Sequence, residues 1–297
     1  MSSVLYDAQG PRAKRRNIVL TIVFLVAVAA LLWWVIGTLK DKGQLEWALW
    51  EPFFHTEAWS TYIWPGLQNT LKAAALAMII ALPLGAVLGI ARLSDHAWVR
   101  VPAAVVVEFF RSIPVLVLMI FGLALFAEYT AVSSDDRPLY AVVTGLVLYN
   151  ASVLAEIVRA GILALPKGQS EAAVAIGLRK GQLMRLILLP QAVTAMLPAI
   201  VSQLVVIVKD TALGGAVLTY AELLAAASTM SGYYGGNIIQ SLIVVSVIFI
   251  VLNFALTSFA SWLERRLRRA KKSTGAVVGP NDAEIAGTAG TGAGGTV

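Results

Sequence analysis

Several stretches of this chain are too long and too apolar to lie in water. Two of them carry no charge at all: Ile18 to Gly37, twenty residues, and Leu186 to Val208, twenty-three. About 20 apolar residues cross a bilayer core of ~30 Å as a helix. Backbone in hydrocarbon must satisfy its own polar groups, so only helices and closed barrels span it. Barrel strands alternate apolar and polar residues over roughly ten positions. These runs do not alternate, so the expected fold is an all-α, polytopic membrane protein. Read in order, the spans fall at 18–37, 66–91, 102–127, 138–159, 186–208 and 238–262, six in all. Composition agrees: 58% hydrophobic and 13% charged, against about 45–50% and 25% in soluble domains. A water-soluble enzyme is excluded, and disorder is confined to the ends.

A signal peptide is the rival for the first run, since Arg12, Lys14, Arg15 and Arg16 precede it. Signal cores run to roughly 7–15 residues and end at small residues. This run is longer and ends in Leu31-Leu32-Trp33-Trp34. It reads as an uncleaved span whose tryptophans lie at the outer interface. Residues 1–17 form a basic terminus. Residues 38–65 form a tryptophan-rich outer loop with Asp41, Glu46, Glu51 and Glu57, and 266–297 a tail that is basic, then rich in Gly, Ala, Thr and Val.

Charge fixes the expected orientation. With the N-terminus inside, the inner segments hold four Lys and Arg in 1–17, three in 92–111, five in 159–185 and six in 265–272, eighteen of the 23. Lys40, Lys42, Lys72, Arg137 and Lys209 are left outside. That bias puts both termini in the cytoplasm. The net charge of +6 is therefore topogenic, and no nucleic-acid partner is expected. There is no cysteine, and the only histidines, His55 and His96, are far apart in sequence. Disulfides, thiolate sites and histidine clusters drop out, and no metal or cofactor is expected.

The segment from Leu165 to Gln191 carries the most information. Pro166 and Gly168 interrupt the preceding span. Ser170 is a candidate cap, with Glu171 in the first helical turn, where a carboxylate complements the helix dipole. Ala172, Ala173 and Ala175 keep the helix thin, and Gly177 permits a sharp turn. Arg179, Lys180 and Arg185 hold the second arm at the cytoplasmic surface, and Pro190 follows. Alone, such a segment is equally an ordinary amphipathic loop. As a string, Glu171-Ala172-Ala173, then Gly177-Leu178, then an apolar-Leu-Pro190, it resembles the EAA signature loop of ATP-binding-cassette importer permeases.

That resemblance spans roughly residues 65–265. Gly66-Leu-Gln-Asn-Thr70-Leu resembles the start of the family's first core span, and Phe110-Arg111-Ser-Ile-Pro114 its F-R-G-T-P element. Ala155-Glu156-Ile-Val-Arg159-Ala-Gly161, Pro166-Lys-Gly-Gln169, Lys209-Asp210-Thr211 and Glu222-Leu are similar to the polar amino-acid branch (glutamate, glutamine, histidine). Within it the chain looks most like a glutamate permease subunit of actinobacteria. Ser112-Ile113 replaces the usual Gly-Thr, Ala212-Leu213 replaces Ser-Leu, and Asn150-Ala-Ser152 departs from the usual small and aromatic residues. These departures bear on substrate detail.

The resemblance implies a five-helix type I permease core at 66–265, one added N-terminal span, and the bacterial cell membrane as its location. It implies as partners a cytoplasmic ATP-binding-cassette ATPase dimer, a second permease subunit, identical or homologous, an extracellular or lipid-anchored amino-acid-binding protein, and membrane lipid. The chain has no G-x-x-x-x-G-K-[ST] loop, so it is expected to be non-catalytic, with hydrolysis supplied by the ATPase. In this reading the loop at 166–190 docks on the ATPase, with Glu171, Ala172, Ala173, Gly177, Leu178 and Pro190 as coupling residues.

Ionisable residues in spans point to function. Glu108–Arg111 and Glu156–Arg159 have i,i+3 spacing, which makes each first a local ion pair. Arg111, just before Ile113-Pro114, is also a gate candidate. Lys209-Asp210-Thr211 precedes Ala-Leu-Gly-Gly, which suggests a helix break lining a cavity. Lys209 would take the carboxylate of a zwitterion, Asp210 its ammonium, and Thr211 a neutral hydrogen bond. The plain alternative is an interfacial pair at the outer end of the span. Asn150, Ser152, Ser202 and Gln203 are further lining candidates, or simply interhelical hydrogen bonds. The competing function is an ion-coupled secondary transporter. Such carriers commonly show internal repeats, which this sequence lacks, and they have no use for the 166–190 loop. A membrane enzyme or channel is the third class, and no H-E-x-x-H or serine–lysine motif stands out.

Overall fold

A computed structural model describes residues 10–272. The first nine residues and the tail at 273–297 lie outside the described residues, as do the expectations that fall on them. The chain folds into α1 (Pro11–Asp41), α2 (Thr56–Ala91), α3 (Ala97–Ser112), α4 (Val115–Tyr129), α5 (Arg137–Leu163), α6 (Lys167–Ala175), α7 (Lys180–Val217), α8 (Leu223–Tyr233) and α9 (Ile238–Lys272). Two short 3-10 turns lie between α1 and α2. Among the described residues there is no strand.

Among the described residues, five helices are long and apolar enough to cross a membrane: α1, α2, α5, α7 and the Ile238–Trp262 part of α9. The expected third span, 102–127, is not one straight helix. It is α3 and α4, bent by 98°. Pro114 explains the corner. Proline disfavours helical backbone in the residue before it, and Ile113 is extended at φ −93°, ψ 130°. Counting the bent pair as one span restores six.

The helices belong to two compact units. One comprises the residues up to Asn69 together with Ala221–Ile248. Within it no residue of α1 is buried. The α1–α2 connection is fastened by side-chain amides: Asn237 donates to the Leu49 carbonyl at 3.2 Å and Gln240 to the Gln44 carbonyl at 2.5 Å. Buried Glu222 caps α8, accepting from the backbone of Leu224 and Ala225 at 2.8 Å each. Such a cap satisfies orphan N–H groups at the helix start.

The other unit runs from Thr70 to Tyr220 and resumes at Phe249. Its centre is α5, packed by α3, α4 and α7. Ala73, Ala74 and Ala77 of α2, Met119 of α4, Val142 and Leu146 of α5 and Ile207 of α7 share one buried cluster. Where α2 meets α5, Gly85 and Gly89 stand four apart on one helix face. A Cβ on Gly89 would fall 2.6 Å from the Ala155 carbonyl oxygen, and one on Gly85 2.8 Å from that of Ala151. Lipid offers helices no hydrophobic reason to associate, so small residues that let backbones touch take over.

Candidate functional site

The loop after α5 folds as a helix, a glycine turn and a second helix. Pro166, at φ −58°, precedes α6, so Ser170 and Glu171 are its fourth and fifth residues. The expected Ser170 cap is therefore corrected: the rigid proline starts the helix one turn earlier. The far end closes on Gly177 at φ +82°. Its N–H donates to the Val174 carbonyl at 2.9 Å, and that of Leu178 to Ala173 at 3.0 Å. This paired closure requires a left-handed residue just past the helix.

Among the described residues, one face of α6 packs against the rest of the chain. Ala173 is buried against Val158, Ile162, Leu183 and Leu188, and half-buried Leu178 joins that cluster. Glu171, Ala172, Ala175 and Gly177 are exposed. Val174 and Ile176 are 64% and 76% exposed, an apolar tip on a polar loop. The base is tied down on both sides. Gln191 donates to Gln169 at 2.5 Å. Lys180 donates to the Leu93 carbonyl at 2.9 Å and to the Asp95 carboxylate. That hydrogen bond holds the Asp95 carboxyl below the usual carboxylate range. The α7 turn before Pro190 widens to a π turn, with the Leu189 N–H reaching Met184. Pro190 itself is exposed.

The two i,i+3 ion pairs form: Arg111 to Glu108 at 2.9 Å and Arg159 to Glu156 at 2.6 Å. Each alone stabilises a helix by about 0.2–0.5 kcal/mol. Sequence reasoning missed their connector. Arg92, with a side chain only 12% exposed, donates to Glu156 at 2.8 Å and to Glu108 at 3.1 Å. Five charges of alternating sign thus link the end of α2, α3 and α5. The sequence shows only that Arg92 is the first charge after a span; its two partners are brought to it by packing.

The second candidate site comes apart. The helix does not break at Ala-Leu-Gly-Gly; α7 continues to Val217. Gly214 is buried, and any Cβ there would collide with Val142 of α5. The glycine serves close packing. At 3.6 residues per turn, adjacent side chains point about 100° apart. Lys209 is exposed, Asp210 half-buried, and Thr211 buried, donating to the Val208 carbonyl at 2.7 Å. The three do not converge as one clamp. Lys209 instead shares a helix face with Ser202 and Val205. Those two line a groove with Pro198 and Val201, closed by Thr257, Ala260 and Ser261 of α9. Asn150 is fully buried, donating to the Leu146 carbonyl at 2.7 Å and accepting from Gln203 at 2.5 Å. It ties α5 to α7.

A family model described as a binding-protein-dependent transport system inner membrane component matches residues 81–269. The chain is 48% identical over 237 residues to the glutamate transport system permease protein GluD of Corynebacterium glutamicum, covering 79% of this chain and 86% of that one. It is 35% identical over 210 residues to the glutamate/aspartate import permease protein GltK of Escherichia coli O6:H1, covering 69% and 93%. Among solved structures, an amino acid ABC transporter with histidines aligns at a TM-score of 0.63 and 27% identity, over 69% of this chain and 93% of that chain.

Proposed function

Since the chain belongs to the binding-protein-dependent transport system inner membrane components, as a permease subunit of an ATP-binding-cassette importer, we propose that its substrate is a polar amino acid, glutamate. The observation that carries the mechanism is the tip of α6. Glu171, Ala172, Val174 and Ile176 are held out on a firmly tied base with no partner face among the described residues of this chain. A cytoplasmic ATPase dimer takes that tip. As its subunits close on nucleotide, a short helix fused to long ones turns their approach into a rocking of the permease. A second permease subunit, identical or homologous, supplies the other half of the pathway. An extracellular or lipid-anchored binding protein delivers the amino acid. Both termini lie in the cytoplasm, as the positive-inside bias supports.

Lys209 is the residue we assign to the substrate carboxylate, on the face that carries Ser202. An exposed cation on a membrane helix favours a pathway role. Asp210, Thr211, Arg111 and Asn150 are the other pathway candidates, but Asn150 and Thr211 already make hydrogen bonds inside the chain, and Arg111 pairs with Glu108.

The test is reconstitution. This chain is purified with its ATPase and second permease, placed in liposomes, and given loaded binding protein and labelled glutamate. Uptake should require internal ATP and ignore imposed sodium or proton gradients. Uptake driven by a gradient without ATP would install the secondary-transporter reading instead. Because the chain has no cysteine, single cysteines near Ile176 and Trp47 report sidedness directly. Ile176 should label only from the cytoplasm.

A further inference from the structure

Polar contacts, joined by one to three residues of chain, run from the α6 loop to the corner at Pro114. Lys180, three residues past Gly177, holds the backbone of Leu93 and the carboxylate of Asp95. Leu93 adjoins Arg92, whose guanidinium grips Glu156 of α5 and Glu108 of α3. Glu108 holds Arg111, which stands two residues before Ile113. We infer that Arg92 is a positioning residue of the transport cycle: it clamps α3 to α5 and makes the α3–α4 corner follow the loop at 167–180.

The chemistry suits a clamp. A guanidinium is a planar fork that serves two carboxylates at once, which a lysine's single point charge does poorly. Arg92 uses one Nη for each carboxylate, and the carboxylates come from different helices. Its side chain is only 12% exposed, so leaving it without a carboxylate partner is costly. Contacts of this kind are made or broken, with little between, and a two-state element is what coupling between distant regions requires. The two outer arginines pair with the same glutamates and orient them, so the clamp is preset in the free chain.

This inference rests on reading the α6 loop as the grip of the ATPase, and the test separates the two. The complete importer is reconstituted with Arg92→Met. ATPase activity is measured with and without loaded binding protein, alongside glutamate uptake. Uptake should fall roughly tenfold, with basal ATPase within about twofold and its stimulation by binding protein lost. Glu108→Gln should lower uptake in the unaltered chain and add nothing in the Arg92→Met background, since partners in one contact are not additive. If Arg92→Met fails to assemble, the near-isosteric pair Glu108→Gln, Glu156→Gln takes its place with the same expectation. Unchanged coupling in the variant that assembles overturns the clamp. So does parallel loss of uptake and ATPase activity, which marks a merely structural role. Gly177→Trp in the same preparation tests the grip itself. If it abolishes stimulation while Arg92→Met does not, the clamp alone is wrong; if stimulation survives Gly177→Trp, the loop reading fails.

Discussion

The α6 loop and the segment at 209–211 both present charged or small residues at a helix boundary in the sequence, yet the fold treats them oppositely. At the loop, the chain buries Ala173 and leaves Glu171, Ala172, Val174 and Ile176 unused. At 209–211, a continuous helix sends three neighbours in three directions and consumes Thr211 on its own backbone. Groups that the chain leaves exposed are the ones available to another molecule. Motif spacing does not report that; geometry does.

The contrast breaks most readily at Gly177. A side chain at φ +82° costs about 1–2 kcal/mol of left-handed strain, and an indole also covers the exposed tip. Gly177→Trp should cut ATP-dependent uptake by more than roughly tenfold, and Gly177→Ala, which adds strain and little bulk, by far less. Full transport by the tryptophan variant would remove the loop from the mechanism. Lys209→Met is next. It should raise the half-saturating glutamate concentration about tenfold while binding-protein stimulation of the ATPase persists. An unaltered concentration dependence returns Lys209 to a plain interfacial role. Asn150→Ala comes third. It strands the Gln203 amide between helices, and membrane hydrogen bonds of this kind are worth about 0.6–1.7 kcal/mol. The melting temperature should drop a few degrees with uptake per folded complex unchanged; altered substrate preference would put Asn150 back in the pathway.

The smallest effect is Asp95→Asn, and its sign follows from the lowered Asp95 carboxyl. A depressed folded-state value gives stability that is present above the unfolded carboxylate range near ~4 and lost as pH falls through the folded value. Between pH 7 and 5 the variant should melt slightly below the unaltered chain, and the difference should vanish in stronger acid. Asp95 is exposed, so screening keeps the gap small. A gap that widened in acid would contradict the Lys180 pairing.

Most of the span order was legible because hydropathy depends on residue type alone. The 98° corner was less so. Ser112-Ile113-Pro114 marks a break, yet an apolar count runs straight through it. Gly214-Gly215 misled in the opposite direction: glycine reads as a breaker, but beside Val142 it is a contact surface. Gly85 and Gly89 carried the same meaning at a spacing of four, a signal available in the sequence and not used. The loop at 166–190 was legible as a helix–glycine–helix because Pro166 and Gly177 act locally. Arg92 was not, since Glu108 and Glu156 lie sixteen and sixty-four residues away and only the packing of α3 on α5 brings them to it.

No part of α1 contributes to an interior. Cutting it away would therefore open no hole in this polypeptide, and its twenty greasy residues answer only to what surrounds the molecule. Whatever that first rod does, it does as an outrigger: chemists could shorten, swap or label it and expect the remaining hull to keep its shape.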